Sequence, residues 1–188
     1  GSYGVYAYTV DGDPLWDTDL GDMTTRNEFG EGASPALYGE RLVVPWDHEG
    51  ASFIVALDAA TGAEVWRKDR DERTSWNTPL VVEHDGRQQV IVNATNLVRS
   101  YDLADGSLIW ECSGMTANAI PSPVHADGTV YVMSGFRGSA LFAIDLDRAS
   151  GDITNSDAFV WSKGRDTPYV PSPLLTGEIG RASCRERV

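Results

Sequence analysis

One short segment places three residues with metal-ligating or proton-transferring side chains next to one another, Asp47-His48-Glu49. An imidazole beside two carboxylates could bind a metal ion or act as a general base. Successive side chains of an extended chain point in opposite directions, however, so these three cannot all face one ion. The other two histidines, His84 and His125, do not lie at ligand spacing, and we expect both to be exposed beside turns. The sequence therefore predicts no metal site and no catalytic residue.

The chain also lacks the motifs of several enzyme classes. It contains no Gly-x-Ser-x-Gly, no phosphate-binding glycine loop and no Cys-x-x-Cys, so hydrolase, nucleotide-dependent and thiol-redox functions have no support. Its formal net charge of −13 disfavours nucleic acid and anionic membranes as partners. We also see no membrane-spanning segment in the sequence.

The chain is built from a sequence repeat, and the elements of this repeat must position any functional site. The motif Asp-x-x-x-Gly-x-x-x-Trp occurs twice in full, at Asp58, Gly62 and Trp66 and again at Asp102, Gly106 and Trp110. Degraded copies end at Trp16 and at Trp161, and the second of these contains an insertion around Gly151-Asp152. A Ser/Thr-Pro marker keeps the same period at Ser34-Pro35, Thr78-Pro79, Ser122-Pro123 and Ser172-Pro173. Intervals of about 44 to 50 residues are typical of propellers and solenoids.

The apolar segments within each period are short, β-branched and aromatic. They lie at residues 42–44, 53–57, 90–92, 130–133 and 141–144, and glycine-containing turns separate them. Such segments are too short for helices and indicate about four antiparallel strands per period. Because the runs are nearly continuous rather than alternating, we expect sheets that are covered on both faces, as stacked blades are.

The segment from Ala56 to Trp66 resembles the repeat of the pyrroloquinoline-quinone-type (PQQ-like) β-propellers of the quinoprotein alcohol dehydrogenase-like superfamily, since Ala56, Asp58, Thr61, Gly62 and Trp66 match its pattern. The resemblance covers about residues 1–177. It implies an all-β propeller of seven or eight blades and a bacterial, periplasmic or extracellular protein. The family includes quinoprotein dehydrogenases, and also propellers without quinone, among them a lipoprotein of outer-membrane protein assembly.

At about 44 residues per blade, the chain has room for a partial arc of about three to four four-stranded blades, so we interpret it as a fragment of a larger propeller. The predicted propeller fragment is 1–178: part of a blade at 1–30, blades at about 33–72, 77–115 and 121–166, and the start of another at 170–178. Residues 179–188 resemble a translated sequencing-library adapter and are left out of the fold prediction. Cys184 lies in that tail, so Cys112 has no disulfide partner in the remainder.

The resemblance gives the repeat residues a structural role. It implies that the motif tryptophans lie between adjacent blades and that the motif glycines allow a tight turn into the outer strand. Asp58 and Asp102 are expected to cap the turns that follow them. These structural residues are Trp16, Asp58, Gly62, Trp66, Asp102, Gly106, Trp110 and Trp161.

The resemblance also places two classes of loop on one axial face, where the inner strands converge. These loops combine aromatic residues with amides and guanidinium groups, as pockets for polar ligands do. The candidate binding residues are Arg26, Asn27, Trp46, Asp47, His48, Trp76, Asn77, Asn93, Asn96, Asn118, Arg137 and Tyr169.

Two functions can be argued from these residues, and a third, a sensor domain attached to a kinase or transporter, would need further domains. The first is a non-catalytic propeller that binds a protein or a small polar ligand through its axial face and serves as a binding or assembly scaffold, with no cofactor. The alternative is part of a quinoprotein alcohol dehydrogenase that uses PQQ and calcium. Such dehydrogenases commonly carry a vicinal cysteine pair, and this sequence contains none.

Overall fold

The computed structural model describes residues 2–176 and the backbone of residues 179–181. Nearly all of its regular structure is β-strand, with a single 3-10 turn at Arg26–Glu28. The all-β prediction is confirmed, because the short β-branched segments form strands and none forms an α-helix among the described residues. That part of the chain contains no helix that is long and apolar enough to cross a membrane.

The strands form successive antiparallel sheets in chain order. A first pair consists of β1 (Gly4–Tyr8) and β2 (Pro14–Asp19). Blade A consists of β3 (Ala36–Tyr38), β4 (Arg41–Trp46), β5 (Ser52–Asp58) and β6 (Glu64–Arg70). Blade B consists of β7 (Leu80–His84), β8 (Arg87–Val92), β9 (Val98–Asp102) and β10 (Leu108–Cys112). Blade C consists of β11 (Val124–Ala126), β12 (Thr129–Ser134), β13 (Ala140–Asp145) and β15 (Phe159–Lys163). This arc of four-stranded sheets confirms the predicted propeller architecture.

The insertion in the last repeat adds a fifth strand to the neighbouring blade. Between β13 and β15 the chain forms β14 (Gly151–Asp152), which pairs in parallel with the outer strand β10 of blade B. Ile153 follows it, is 1% exposed and donates its N–H to the carbonyl oxygen of Glu111 at 2.9 Å. The insertion therefore ties blade C to blade B, which its sequence alone did not predict.

The chain continues past blade C into a last pair, β16 (Leu174–Thr176) and β17 (Ile179–Arg181), which are antiparallel. The predicted tail at 179–188 is thus described as far as Arg181, and residues 182–188 lie outside the described residues. Its origin and the predicted blade boundaries stay predictions.

The hydrophobic core is divided among the interfaces between sheets. On β5, Val55 and Leu57 pack toward the first pair, whereas Ile54 and Ala56 pack toward blade B. On β8, Val90 and Val92 face blade A, while Ile91 faces blade C. This alternation follows from the two-residue period of a strand, and it explains why the central strands are apolar at every position.

The motif tryptophan of one sheet packs on the motif glycine of the next. A Cβ atom on Gly62 would lie 2.4 Å from the ring of Trp16, and one on Gly106 would lie 2.6 Å from the ring of Trp66. The indole N–H of Trp16 donates to the carbonyl oxygen of Ala59 at 3.2 Å. Both glycines also have positive φ, at 73° and 72°. Glycine is therefore favoured at these positions both by the left-handed backbone of the turn and by the close approach of the tryptophan ring.

The remaining two motif tryptophans lie differently. Trp110 is fully buried against blade C and donates its indole N–H to Gln89 within its own blade at 3.2 Å. Trp161, on the outer strand of blade C, is 39% exposed and contacts Tyr131.

The Ser/Thr-Pro markers form a series of hydrogen bonds along the inner edge of the arc. The N–H of Ser34 donates to Oγ1 of Thr78 at 3.3 Å, and the N–H of Thr78 donates to Oγ of Ser122 at 2.9 Å. The N–H of Ser122 then donates to Oγ of Ser172 at 3.0 Å. Each hydroxyl therefore satisfies a backbone donor of the preceding sheet, which explains why the marker keeps the period of the repeat.

Candidate functional site

Two sets of connections meet at one end of the sheets, which we call the loop face. The first set links the outer strand of one sheet to the inner strand of the next, at residues 20–35, 71–79, 113–123 and 164–173. The second set joins the second and third strands within a blade, at residues 47–51, 93–97 and 135–139. Antiparallel order requires both sets to lie at the same end. All twelve candidate binding residues lie at this end, in these connections or at strand ends beside them.

A buried ion pair lies under the loop face between blades A and B. The guanidinium of Arg70 donates two hydrogen bonds to the carboxylate of Asp47, at 2.8 and 3.1 Å, and the two side chains are 0% and 1% exposed. Ser75 donates to the same carboxylate at 2.7 Å, and Arg70 donates to the hydroxyl of Tyr101 at 2.7 Å. Burial by itself would lower the pKa of Arg70, but the Asp47 carboxylate raises it. Asp47 is therefore engaged by Arg70 and Ser75, and Arg70 in turn contacts Tyr101 of blade B.

A second buried carboxylate, Glu72, holds the next turn. It accepts hydrogen bonds from the N–H groups of Asn96 and Leu97, at 2.8 and 3.0 Å, and from Nη1 of Arg99 at 2.8 Å. Burial raises the pKa of Glu72, and the charge of Arg70 partly offsets this effect. Asn96 donates its side-chain N–H to the carbonyl oxygen of Asp71. These contacts fix the β8–β9 turn against the chain that leaves blade A.

Two amides are buried beside the connections that lead into blades B and C. Asn93 is 0% exposed and donates to the carbonyl oxygens of Pro121 and Met133, at 3.0 and 2.7 Å. Asn77 is also 0% exposed and donates to the carbonyl oxygen of Asn93. The Oδ1 atoms of both residues have no hydrogen-bond partner among the described residues. These two residues connect successive blades rather than project into solvent.

The loop turns of blades A and C hold further candidate residues. Nδ1 of His48 accepts the N–H of Thr24 at 3.1 Å, which leaves that imidazole buried in a structural role. Trp46 stacks on Phe53 at 5.9 Å and lines a cavity of about 240 Å³ between the first pair and blade A. Arg137 is exposed and lies over the ring of Phe136. Asn27 is exposed in a left-handed conformation, with φ of 52°.

Four successive interblade loops each contribute one apolar side chain to a cavity of about 320 Å³, which we call the apolar cup. Its lining residues are Phe29, Gly32, Trp76, Ile120 and Tyr169. Phe29 is 70% exposed at its rim. The cup is formed only when the loops of all four connections come together, so it is a product of the tertiary structure.

Hydrogen bonds hold the residues around the cup in position. The indole N–H of Trp76 donates to the carbonyl oxygen of Gly30 at 2.9 Å. Arg26 donates to Oδ1 of Asn118 at 2.9 Å, and the amide of Asn118 donates to the hydroxyl of Tyr169 at 3.4 Å. Tyr169 also stacks on Phe136 at 4.9 Å. The cup therefore has a pre-formed aromatic wall and a rim held by hydrogen bonds.

The structure thus divides the candidate binding residues into groups. Arg26, Trp76, Asn118 and Tyr169 come together at the cup, whereas Asp47, His48, Asn77 and Asn93 are buried beneath the loop face. Their roles in binding stay predictions. Sequence reasoning missed Phe29 and Ile120, although Ile120 follows Trp76 by one repeat period and could have been found from that spacing.

The expectation that His84 and His125 are exposed is wrong. Both are partly buried, and Nε2 of His84 lies 2.7 Å from Oδ1 of Asp147 in the next blade. Nε2 of His125 is shielded from solvent and has no hydrogen-bond partner among the described residues. Packing of adjacent blades covers the turns beside both residues, which a prediction from a single hairpin cannot include.

Solved structures share this architecture. The structure of BamB from Moraxella catarrhalis matches with a TM-score of 0.62 and 20% identity, over 94% of this chain and 48% of BamB. A europium-containing methanol dehydrogenase matches with a TM-score of 0.53 and 15% identity, over 74% of this chain and 25% of the enzyme. The quinohemoprotein alcohol dehydrogenase of Comamonas testosteroni matches with a TM-score of 0.51 and 20% identity, over 75% of this chain and 21% of the enzyme. The chain therefore spans about half the length of the BamB structure and a quarter or less of the two enzymes.

No curated protein matches the sequence significantly. A family model described as "Outer membrane protein assembly factor BamB" matches residues 2–167, which is most of the chain. The chain belongs to this family of PQQ-like β-propellers.

Proposed function

We propose that this chain is a non-catalytic propeller scaffold that binds a protein segment through its loop face, with the apolar cup as the anchoring site. The single observation that carries this proposal is the convergence of four interblade loops on one aromatic-lined cavity. Protein interfaces concentrate their binding energy in a few aromatic anchors that fill such cavities. The family description further supports a role in the assembly of outer-membrane proteins. A periplasmic location is part of our proposal.

The size and rigidity of the cup fit a side chain better than an extended cofactor. Its volume of about 320 Å³ is at the lower end of the range for small-molecule sites. Its hydrogen-bonded rim is already ordered, so an incoming segment would lose less entropy than if it had to order the loops. The net charge of −13 favours a partner segment that carries basic residues beside its apolar anchor.

The dehydrogenase alternative is less favoured because the two buried carboxylates under the loop face are already paired with arginines. A calcium–quinone centre needs carboxylates that are free to bind the cation, but Asp47 and Glu72 accept hydrogen bonds from Arg70 and Arg99. A guanidinium within 3 Å of a carboxylate would repel a calcium ion at the same oxygen. Asp47 and Glu72 therefore do not suit this ligand set, and we derive no reaction step from it.

The proposal can be tested with a urea-unfolded outer-membrane β-barrel protein, labelled with a fluorophore and diluted into buffer that contains the chain. We expect saturable binding that Phe29→Ala weakens at least tenfold, because truncation of an aromatic anchor costs about 2 kcal/mol or more. Leu108→Ala is the matched control, since Leu108 is an exposed apolar residue on the outer strand of blade B. Equal affinities of the two variants would contradict the proposal. Saturable, calcium-dependent quenching of tryptophan fluorescence by PQQ would instead favour the dehydrogenase.

A further inference from the structure

Three metal-ligating side chains meet at the end of the blades opposite the loop face. His84 is the last residue of β7, and Asp85 follows it in the β7–β8 hairpin of blade B. Asp147 comes from blade C, just after β13. One ligand atom of each residue lies within 4.8 Å of the other two. No residue of this group is part of the loop face.

Both sides of this cluster are held by the backbone of their own blade. Asp85 and Gly86 form a tight hairpin with φ values of 50° and 73°. On the other side, Leu146 is buried and its N–H donates to the carbonyl oxygen of Gly128 at 2.9 Å. Asp147 donates its own N–H to Oδ1 of Asp145 at 3.0 Å. Because these neighbours fix the backbone at Asp85 and Asp147, the three ligands could close on an ion mainly through side-chain rotation.

The side chain of His84 is only 18% exposed, and its Nε2 lies 2.7 Å from Oδ1 of Asp147. A second imidazole near His84 belongs to His125 of blade C, which also lies within the influence of the Asp127 carboxylate. Nε2 of His125 has no hydrogen-bond partner among the described residues, and burial, followed by the charge of His84, lowers the pKa of His125. The interface therefore combines two imidazoles with carboxylates from two blades.

We propose that His84, Asp85 and Asp147 bind a divalent transition-metal ion such as zinc, with water completing its coordination. One imidazole nitrogen with two carboxylate oxygens suits zinc, cobalt or nickel better than calcium, which prefers oxygen ligands alone. The ion takes the place of the direct hydrogen bond between Nε2 of His84 and Oδ1 of Asp147. Because its ligands come from two blades, the bound ion links blade B to blade C.

The experiment uses cobalt(II) and zinc with the purified chain in which Cys184 is replaced by Ser, so that this thiol cannot act as a ligand. We expect saturable binding of one ion per chain, followed by cobalt absorbance and zinc calorimetry, together with a rise in melting temperature on addition of zinc. His84→Ala and Asp85→Asn should each weaken binding at least tenfold and remove the rise in melting temperature.

Asp127→Asn is the matched control, because Asp127 occupies the equivalent position of the β11–β12 hairpin, is exposed and has φ of 49°. Asn tolerates the left-handed conformation at both positions, so both hairpin variants should fold. The control should bind zinc as the parent chain does. Absence of saturable binding by the parent chain, or affinities of His84→Ala or Asp85→Asn within threefold of the parent, would overturn the proposal.

Discussion

The indole nitrogen of Trp66 donates a hydrogen bond to the carbonyl oxygen of Leu103 at 2.9 Å, from the outer strand of blade A to the turn between β9 and β10 of blade B. The same ring lies against Gly106, the motif glycine of the next repeat. One side chain thus satisfies a backbone acceptor and fills the space that the glycine leaves. This relationship explains why the Gly and Trp of the motif recur together.

Replacement of Trp66 tests this contact. We expect Trp66→Ala to lower the free energy of unfolding by about 3–5 kcal/mol, as truncation of large buried side chains does. Trp66→Phe retains most of the packing and should cost less, since it removes mainly one hydrogen bond of about 1 kcal/mol. Trp161→Ala is the control because Trp161 is 39% exposed. Urea denaturation measures all three, and equal midpoints for Trp66→Ala and Trp161→Ala would contradict the role of Trp66.

Substitutions at Gly86 and Gly106 distinguish the cost of a left-handed backbone from the cost of a steric clash. Gly106 and Gly86 have nearly the same φ, 72° and 73°, but a Cβ atom at Gly86 meets nothing within 4 Å. Gly86→Ala should therefore cost only the left-handed conformation, about 1–2 kcal/mol. Gly106→Ala should cost clearly more, because its Cβ atom would lie 2.6 Å from the Trp66 ring. Thermal or urea unfolding that gives equal losses would show that the ring moves aside freely.

We expect the buried ion pair of Asp47 and Arg70 to contribute far more to the stability of the fold than an exposed ion pair does. Asp47→Asn leaves Arg70 without a negative partner, and we expect it to lower the free energy of unfolding by about 3–5 kcal/mol. Glu64→Gln breaks the exposed pair of Arg67 with Glu64 and should cost at most about 1 kcal/mol. Both losses can be measured by chemical denaturation. A loss below about 1 kcal/mol for Asp47→Asn would mean that Arg70 finds another acceptor.

Burial raises the pKa of the Cys112 thiol to about 12. The thiolate is the reactive form, so Cys112 should be almost wholly protonated and unreactive in the native chain at pH 8. We expect a thiol reagent to label the Cys184→Ser variant only after unfolding, at a rate that increases with urea concentration. Fast labelling in native buffer would contradict the burial of this residue.

Much of the fold could be predicted from particular residues. The recurrence of Gly62 with Trp66 and of Gly106 with Trp110 indicated stacked sheets, because such spacing is local and each repeat has the same short strands. The fifth strand of blade B could not be predicted, since Gly151 and Asp152 are separated from β10 in sequence. The buried state of Asp47 was missed for the same reason, because Arg70 and Ser75 reach it from another strand and loop.

The sequence by itself determined the all-β architecture and the period of the repeat, since local patterning and turn chemistry are sufficient for these features. The interblade position of Trp16 and Trp66 was implied by the family resemblance and not by the local pattern. Only the tertiary structure decided which polar residues are structural and which are accessible. Four loops, one per repeat, bring Phe29, Trp76, Ile120 and Tyr169 into one cup. Contacts across blades bring His84 to Asp147, and no pattern within one repeat specifies such contacts because they depend on how neighbouring sheets are stacked.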